Sequence, residues 1–292
     1  MRGLPVFAWT LVASAMLNGQ SARPSVGRTL LPDVADYTVA SDETFETIGV
    51  RLGVDPVVIA RRNTKWVHAS LSAGTKLTVD VYRTVPSGLP SGILVNVAQK
   101  RLFLIGDDNS TLAMPVAVGR RDWPTPRGSF RVVRKELNPT WDVPPSIQDE
   151  MIREGRPPVT RVPPGPQNPL GQYWIGLSLT NIGIHATNAP ASIPGFTTHG
   201  CIRVGNEDIK LLFERVSVGT PGEVIDERAL LTWYRGRFFV EVHPAAYRTQ
   251  PTTLAVLRAA AEHLGVSARI DWRLVNEVIG RHEGFAIDVT LR

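Results

Sequence analysis

The run Ile184-His-Ala-Thr-Asn-Ala-Pro190, continued by Ser192-Ile-Pro-Gly195 and Thr197-Thr-His-Gly-Cys-Ile-Arg-Val204, holds the single cysteine of the chain, Cys201. Two histidines, His185 and His199, lie within 16 residues of it. A cysteine is mostly thiol at neutral pH and needs a neighbouring imidazole to become a thiolate. Gly200, just before it, lets backbone approach a substrate closely. Asn206 is expected to cap a helix running to about Val216, with Ile209, Leu212, Phe213 and Val216 on one face. The N–H groups of that turn are expected to face back and stabilise a tetrahedral oxyanion. On these residues alone two other readings stand. His-x-Cys with a distant His supplies three zinc ligands, with no fourth close by. A lone cysteine is also commonly a small buried hydrophobe.

Outward from this run, the chain from Gly92 to about Asp226 reads as strands: 93–105, 111–118, 129–135, 173–179, 181–185 and 222–225. Several alternate apolar and polar residues between glycine or proline breaks, as antiparallel sheet does. Between Trp141 and Gly171 lies a stretch with eight prolines, Pro144 to Pro169. A loop of that length in a compact domain is a lid or a binding surface. Twenty-three prolines in 292 residues argue against a helix bundle. At 43% hydrophobic and 20% charged, the composition is that of an ordinary globular protein of one to three domains. One cysteine excludes an intramolecular disulfide, four-cysteine zinc sites and iron–sulfur clusters. The net charge of +5 favours anionic partners such as acidic wall polymer. No basic stripe is interleaved with aromatics, so nucleic acid is not an expected partner.

The N-terminus reads as an export signal. Arg2 precedes 4–17, which is apolar apart from Thr10 and Ser14. That is short of the roughly 20 residues of a bilayer span but suits a signal-peptide core. Small residues at Ala13/Ala15 and Ser21/Ala22 offer cleavage sites, and the later one gives a signal peptide over 1–22. Retention as an inner-membrane anchor is the alternative. Residues 23–36 read as linker. Residues 37–80 read as strand, helix, helix, strand: Tyr37-Thr-Val39, a helix over 41–52 capped by Ser41 or Asp42 and stopped by Gly53, a helix opened by Asp55 and Pro56, and a strand over 76–79. Residues 83–92 read as a second linker. The tail, 228–292, carries a strand over 237–242, helices over 253–264 and 271–279, a strand over 285–291, and no recognisable chemistry.

Residues 92–227 resemble the YkuD-type L,D-transpeptidase catalytic domain. That family's motif, His-Gly-Thr, a spacer, then Ser-His-Gly-Cys-Ile-Arg, reads here His185-Ala186-Thr187 and Thr198-His199-Gly200-Cys201-Ile202-Arg203. Thr125-Pro-Arg-Gly-Ser-Phe130 resembles the family's Thr-Pro-x-Gly-x-Tyr/Phe. Asn138-Pro-Thr-Trp141, Pro163 to Gly171 and Val218-Gly-Thr-Pro221 resemble its Gram-negative branch, and 37–80 resembles a LysM module. The resemblance implies a mostly β catalytic domain, a β-sandwich with a short helix after the cysteine, preceded by a small βααβ LysM-like module and followed by a small α+β tail. It implies Cys201 as nucleophile and His185 as base steered by the Ala186 carbonyl; His199, counted with them among the catalytic residues, is assigned substrate binding and support of the oxyanion region with Thr198 and Arg203. Thr198, Gly200, Arg203 and Ala186 are the implied substrate-binding residues. No metal or other cofactor is implied. The implied partners are peptidoglycan stem peptides and glycan in the periplasm, with cleavage of the diaminopimelate–D-alanine bond and transfer to an amine of a stem peptide or an outer-membrane lipoprotein. Two rivals are an L,D-carboxypeptidase with water as acceptor and a non-catalytic wall-binding protein.

Overall fold

A computed structural model describes residues 26–41, 43–52, 54, 56–67, 71–247 and 253–292. The expected signal peptide over 1–22 lies outside the described residues, as do Asp42, Gly53 and Asp55. The first elements are β1 (Val26–Thr38), α1 (Phe45–Leu52), α2 (Pro56–Arg62) and β2 (Lys76–Pro86). β1 covers 26–36 and β2 covers 83–86, where linkers are expected. Both strands run long because their extra residues find partners, Thr29 to Leu31 on β1 opposite Arg83 to Val85 on β2. Alternation along β2 buries Leu77, Val79 and Val81 under α1 and α2, together with Ile48, Val58 and Ile59. The helix expected over 41–52 starts at Phe45, and Thr44, not Ser41, caps it, its hydroxyl accepting from the Thr47 N–H at 3.3 Å, while Glu43 before it accepts from the Ala40 N–H at 2.7 Å.

The middle of the chain forms β3 (Gly92–Asn96), β4 (Arg101–Ile105), β5 (Thr111–Gly119), β6 (Gly128–Leu137), β7 (Trp141–Asp142), α3 (Pro145–Arg153), β8 (Arg161–Val162), β9 (Tyr173–Leu177), β10 (Gly183–His185), β11 (Gly195–Thr198), β12 (Ile202–Val204), α4 (Asn206–Arg215) and β13 (Pro221–Ile225). The expected single strand over 93–105 is a hairpin, because Lys100 turns the chain in a left-handed conformation at φ 51°. Hydrogen bonding runs β5-β12-β10-β9-β6-β13-β3-β4 and returns to β5. The expected β-sandwich is therefore a closed barrel. The reason lies in β5: Thr111–Pro115 pairs with β4, and Val116 and Ala117 pair with β12, so one strand joins both edges. Inside sit Val95, Val116, Val118, Ile175, Ile184, Ile202 and Val204, closed at one end by Ile209, Leu212 and Val216 of α4 and the residue after it. The proline-rich stretch carries α3, where Pro145 occupies the first helical position. Its fixed φ and missing N–H are harmless there.

The tail contributes β14 (Ala229–Tyr234), β15 (Arg237–Val242), α5 (Thr253–His263), α6 (Trp272–Arg281) and β16 (Ile287–Asp288). It shares a sheet with the N-terminal strands, in the order β16-β15-β14-β1-β2. Phe285 packs into the same cluster as Val39, Ile48 and Leu77. At the join with the barrel, the buried Glu241 carboxylate accepts from the Thr84 N–H at 2.6 Å, from Gln99 Nε2 at 2.7 Å and from His243 Nε2 at 2.7 Å. A buried carboxylate is tolerable only with partners of this kind.

Candidate active site

β10 and β12 run side by side and parallel, with Ile184 opposite Ile202 and His185 opposite Arg203. This register brings the two halves of the motif together. Cys201 is the last residue of the turn entering β12. Gly200 has φ 104°, which an L side chain rarely adopts. Thr198, 3% exposed, donates its hydroxyl to the Cys201 carbonyl at 2.5 Å and accepts from the Gly200 N–H at 3.3 Å. Thr125 donates to the Gly200 carbonyl at 2.8 Å and accepts from the Gly119 N–H at 2.8 Å. Tyr247 accepts from the Thr125 N–H at 3.0 Å and donates to the Gly119 carbonyl at 2.9 Å. The turn is thus held by three hydroxyls, and the thiol, partly open to solvent, is its one reactive group.

The Cys201 sulfur lies 3.7 Å from the Asn181 carbonyl. Burial pushes the thiol up from its ordinary value, against the smaller pull of a backbone contact at Gly183 and the Arg203 charge. His185 is 4% exposed, and its Nδ1 lies 2.7 Å from the Ala186 carbonyl. A carbonyl only accepts, so Nδ1 carries the hydrogen and Nε2 has the free lone pair. Trp174 stacks on the ring at 6.0 Å between centroids. Burial first, and then the nearby Arg203 guanidinium, push the imidazole down to about 4. The resting pair is therefore neutral thiol and neutral imidazole.

Residues 90–224 match the family model of the YkuD L,D-transpeptidase catalytic domain. The probable L,D-transpeptidase YbiS of Escherichia coli K12 is 31% identical over 223 residues, 73% of this chain and 72% of that protein. The chain belongs to the YkuD L,D-transpeptidase family. Probable L,D-transpeptidase ErfK/SrfK of the same strain is 36% identical over 181 residues, and the match spans 58% of its length. The crystal structure of an Enterococcus faecium L,D-transpeptidase mutant aligns at 25% identity with a TM-score of 0.37, covering 46% of this chain and 49% of that one. The family is one of cysteine-dependent acyltransferases, and Cys201 is this member's one cysteine.

The remaining residues of the motif divide by what they touch. Ala186 stands where the family has glycine and does not adopt a positive φ. Its side chain is 1% exposed in the barrel core, facing Gly171, where an added Cβ would lie 2.5 Å from the Ala186 methyl. Ala186 thus serves the site through its carbonyl. Thr198 and Gly200 shape the turn. Arg203 donates from Nη1 to Ser192 Oγ at 2.8 Å, while its Nε is buried without a hydrogen-bond partner. The expected oxyanion donors at the start of α4 are corrected. Extended β12 separates that helix from Cys201 by roughly 13 Å at 3.3 Å per residue. The helix has no side-chain cap, and Asn206 Oδ1 instead accepts from the Thr187 N–H at 3.1 Å.

His199 is placed differently from His185. Its Nε2 lies 2.5 Å from Oε2 of Glu150 on α3, and its side chain is 28% exposed. Trp123 meets the ring edge-on at 5.0 Å. Glu150 also pairs with Arg120, which reaches Asp122 at 2.9 Å. Sequence reading did not single out Glu150, Arg120 or Trp123. Glu150 lies 49 residues before His199, and no spacing rule links α3 to the motif. Among the described residues, no three His, Cys, Asp or Glu side chains gather closely enough to hold a metal ion.

Proposed function

We propose that this enzyme cleaves the diaminopimelate–D-alanine bond of a peptidoglycan tetrapeptide stem and transfers the acyl group to an amine. Cys201 Sγ attacks the carbonyl carbon while His185 Nε2 takes the thiol proton. His185 then returns that proton to the departing D-alanine nitrogen, leaving a thioester. The acceptor amine attacks the thioester, the C–N bond forms and the C–S bond breaks. The observation that supports this reading is the parallel register of β10 and β12, which sets the strand of His185 beside the one that Cys201 enters, with the thiol partly open to solvent and the imidazole tautomer fixed by the Ala186 carbonyl. Fixing a base in this way is the task a carboxylate performs in other nucleophile–histidine sites. Arg203, with an unpartnered Nε beside both groups, supports binding of a stem carboxylate or the developing oxyanion.

The acceptor is an amine of a second stem peptide or of an outer-membrane lipoprotein, and the reaction takes place in the periplasm. The apolar run over 4–17 supports export, and the strand–helix–helix–strand order over 26–86 supports a glycan-binding role for the N-terminal module. Mass spectrometry tests the reading directly. A carbapenem, an acyl donor for enzymes of this family, adds to the intact protein and not to Cys201→Ala. Muropeptides incubated with enzyme gain cross-linked products; tripeptides alone, formed regardless of added amine, would mean that water is the acceptor.

A further inference from the structure

The two histidines of the motif are fixed in opposite tautomers. His185 carries its hydrogen on Nδ1, facing the Ala186 carbonyl. His199 faces a carboxylate with Nε2. Hydrogen bonds from His199 and Arg120 hold the Glu150 carboxyl below the usual carboxylate range, so it is ionised and only accepts. Nε2 of His199 therefore carries the hydrogen, and Nδ1 keeps the lone pair. His185, pushed down to about 4 by burial and the Arg203 charge, is a weak base for an ammonium ion. The two rings also differ in access: His185 is 4% exposed, His199 28%.

We propose that His199 is the base for the acceptor half-reaction and that Glu150 is its positioning residue, so that the lid helix α3 must be seated for amine transfer. This rests on the acyl-transfer reading above. An acceptor amine arrives from solvent as an ammonium. Nδ1 of His199 takes one of its protons, and the imidazolium formed is neutralised by Glu150. The freed lone pair attacks the thioester carbon, the C–S bond breaks, and the Cys201 thiolate leaves with the second proton from the new amide nitrogen. The imidazolium releases its proton to solvent.

α3 is suited to a seated-or-lifted role. It has no buried residue. Gln148 donates to Val143 and Met151 accepts from Val159, both within the 141–171 stretch, whereas Glu150 bonds to His199 and Arg120 on the barrel. The recorded charged groups around His199 are Glu150 from α3 and, beyond it, Arg120 and Asp122 from the loop after β5.

The test uses the full chain, a tetrapeptide stem as donor and a second stem tetrapeptide as acceptor. D-alanine release reports acylation and cross-linked dimer reports transfer. Glu150→Gln is expected to lower the ratio of dimer to released D-alanine about 10²-fold, the low end of what general base catalysis supplies. Glu150→Asp recovers part of that ratio, and Asp149→Asn, exposed on the same helix, leaves it unchanged. A purely structural loss of the lid would not be rescued by the shorter carboxylate. Equal loss of release and dimer in Glu150→Gln, or no recovery in Glu150→Asp, would overturn this proposal alone. Absence of D-alanine release and of a carbapenem adduct in the unaltered enzyme would overturn the acyl-transfer reading as well.

Discussion

At the scale of single residues, the site works by withholding charge. Burial pushes the Cys201 thiol up and the His185 imidazole down to about 4, so neither is ionised at rest. Alkylation of Cys201 by iodoacetamide should therefore show no limb near or below neutral pH, and the rate should climb above the range of an ordinary thiol. A low limb there would mean a standing thiolate–imidazolium pair. Under the proposed mechanism His185→Ala should slow carbapenem acylation by about 10²–10⁴-fold, read by stopped-flow or mass spectrometry. The same depression has a stability consequence. In the unfolded chain a histidine takes a proton near 6.5, so between 6.5 and about 4 only the unfolded state binds it. The stabilisation from a neutral His185 is complete above 6.5 and is lost as pH falls through that window, by about 3 kcal/mol at 1.36 kcal/mol per unit. Urea unfolding at pH 7 and pH 4 should show this loss in the parent enzyme and a smaller one in His185→Gln. The motif residues named all of these groups in advance. The resemblance also implied the Ala186 carbonyl; it could not say that Thr198 and Gly200 would serve the turn, because that role depends on which atoms face inward.

At the scale of elements, the N-terminal module and the tail are one sheet. β1 lies between β2 of the module and β14 of the tail, and Phe285 fills the module's core at 2% exposure. Phe285→Ala should destabilise that unit by about 3–5 kcal/mol, the usual cost of removing a buried phenylalanine. Trp66, packed against the same cluster, reports it by fluorescence at lower denaturant than in the parent chain. Unchanged Trp66 unfolding would mean that the module stands without the tail. Local patterns in the sequence marked α1, α2, β15, α5 and α6 within a few residues, because helical stripes and strand alternation are local. The long ends of β1 and β2 read as linkers in the sequence, because 23–36 has no periodicity and 83–92 is turn chemistry. They are strands because each found a partner more than forty residues away. The two-residue strands β7 and β8 also hide among prolines, because they pair only with each other, across the segment that carries α3.

At the scale of the whole molecule, the sheet and the barrel meet on buried polar groups. Burial alone would push the Glu241 carboxyl up; the hydrogen bond and charge of His243, with Arg83, instead hold it below the usual carboxylate range. Its contribution is present above that range and lost as pH falls through its lowered folded value. Glu241→Ala would leave Arg83 and His243 buried without their carboxylate, at a cost of about 3–5 kcal/mol. The expected outcome is a lower urea midpoint and a sheet that unfolds before the barrel, where the parent unfolds in one transition. Coincident transitions in the variant would show that apolar packing holds the two bodies together. The sequence by itself determined the nucleophile, its two histidines, the mostly β character and the family, because these are written in residue types at fixed short spacings. Only the tertiary structure decided that the sheet closes into a barrel, that the tail completes the N-terminal module, and that Glu150 stands against His199. Each of those depends on contacts between segments far apart in the chain, where the geometry of closure selects the partner and no local pattern carries its name.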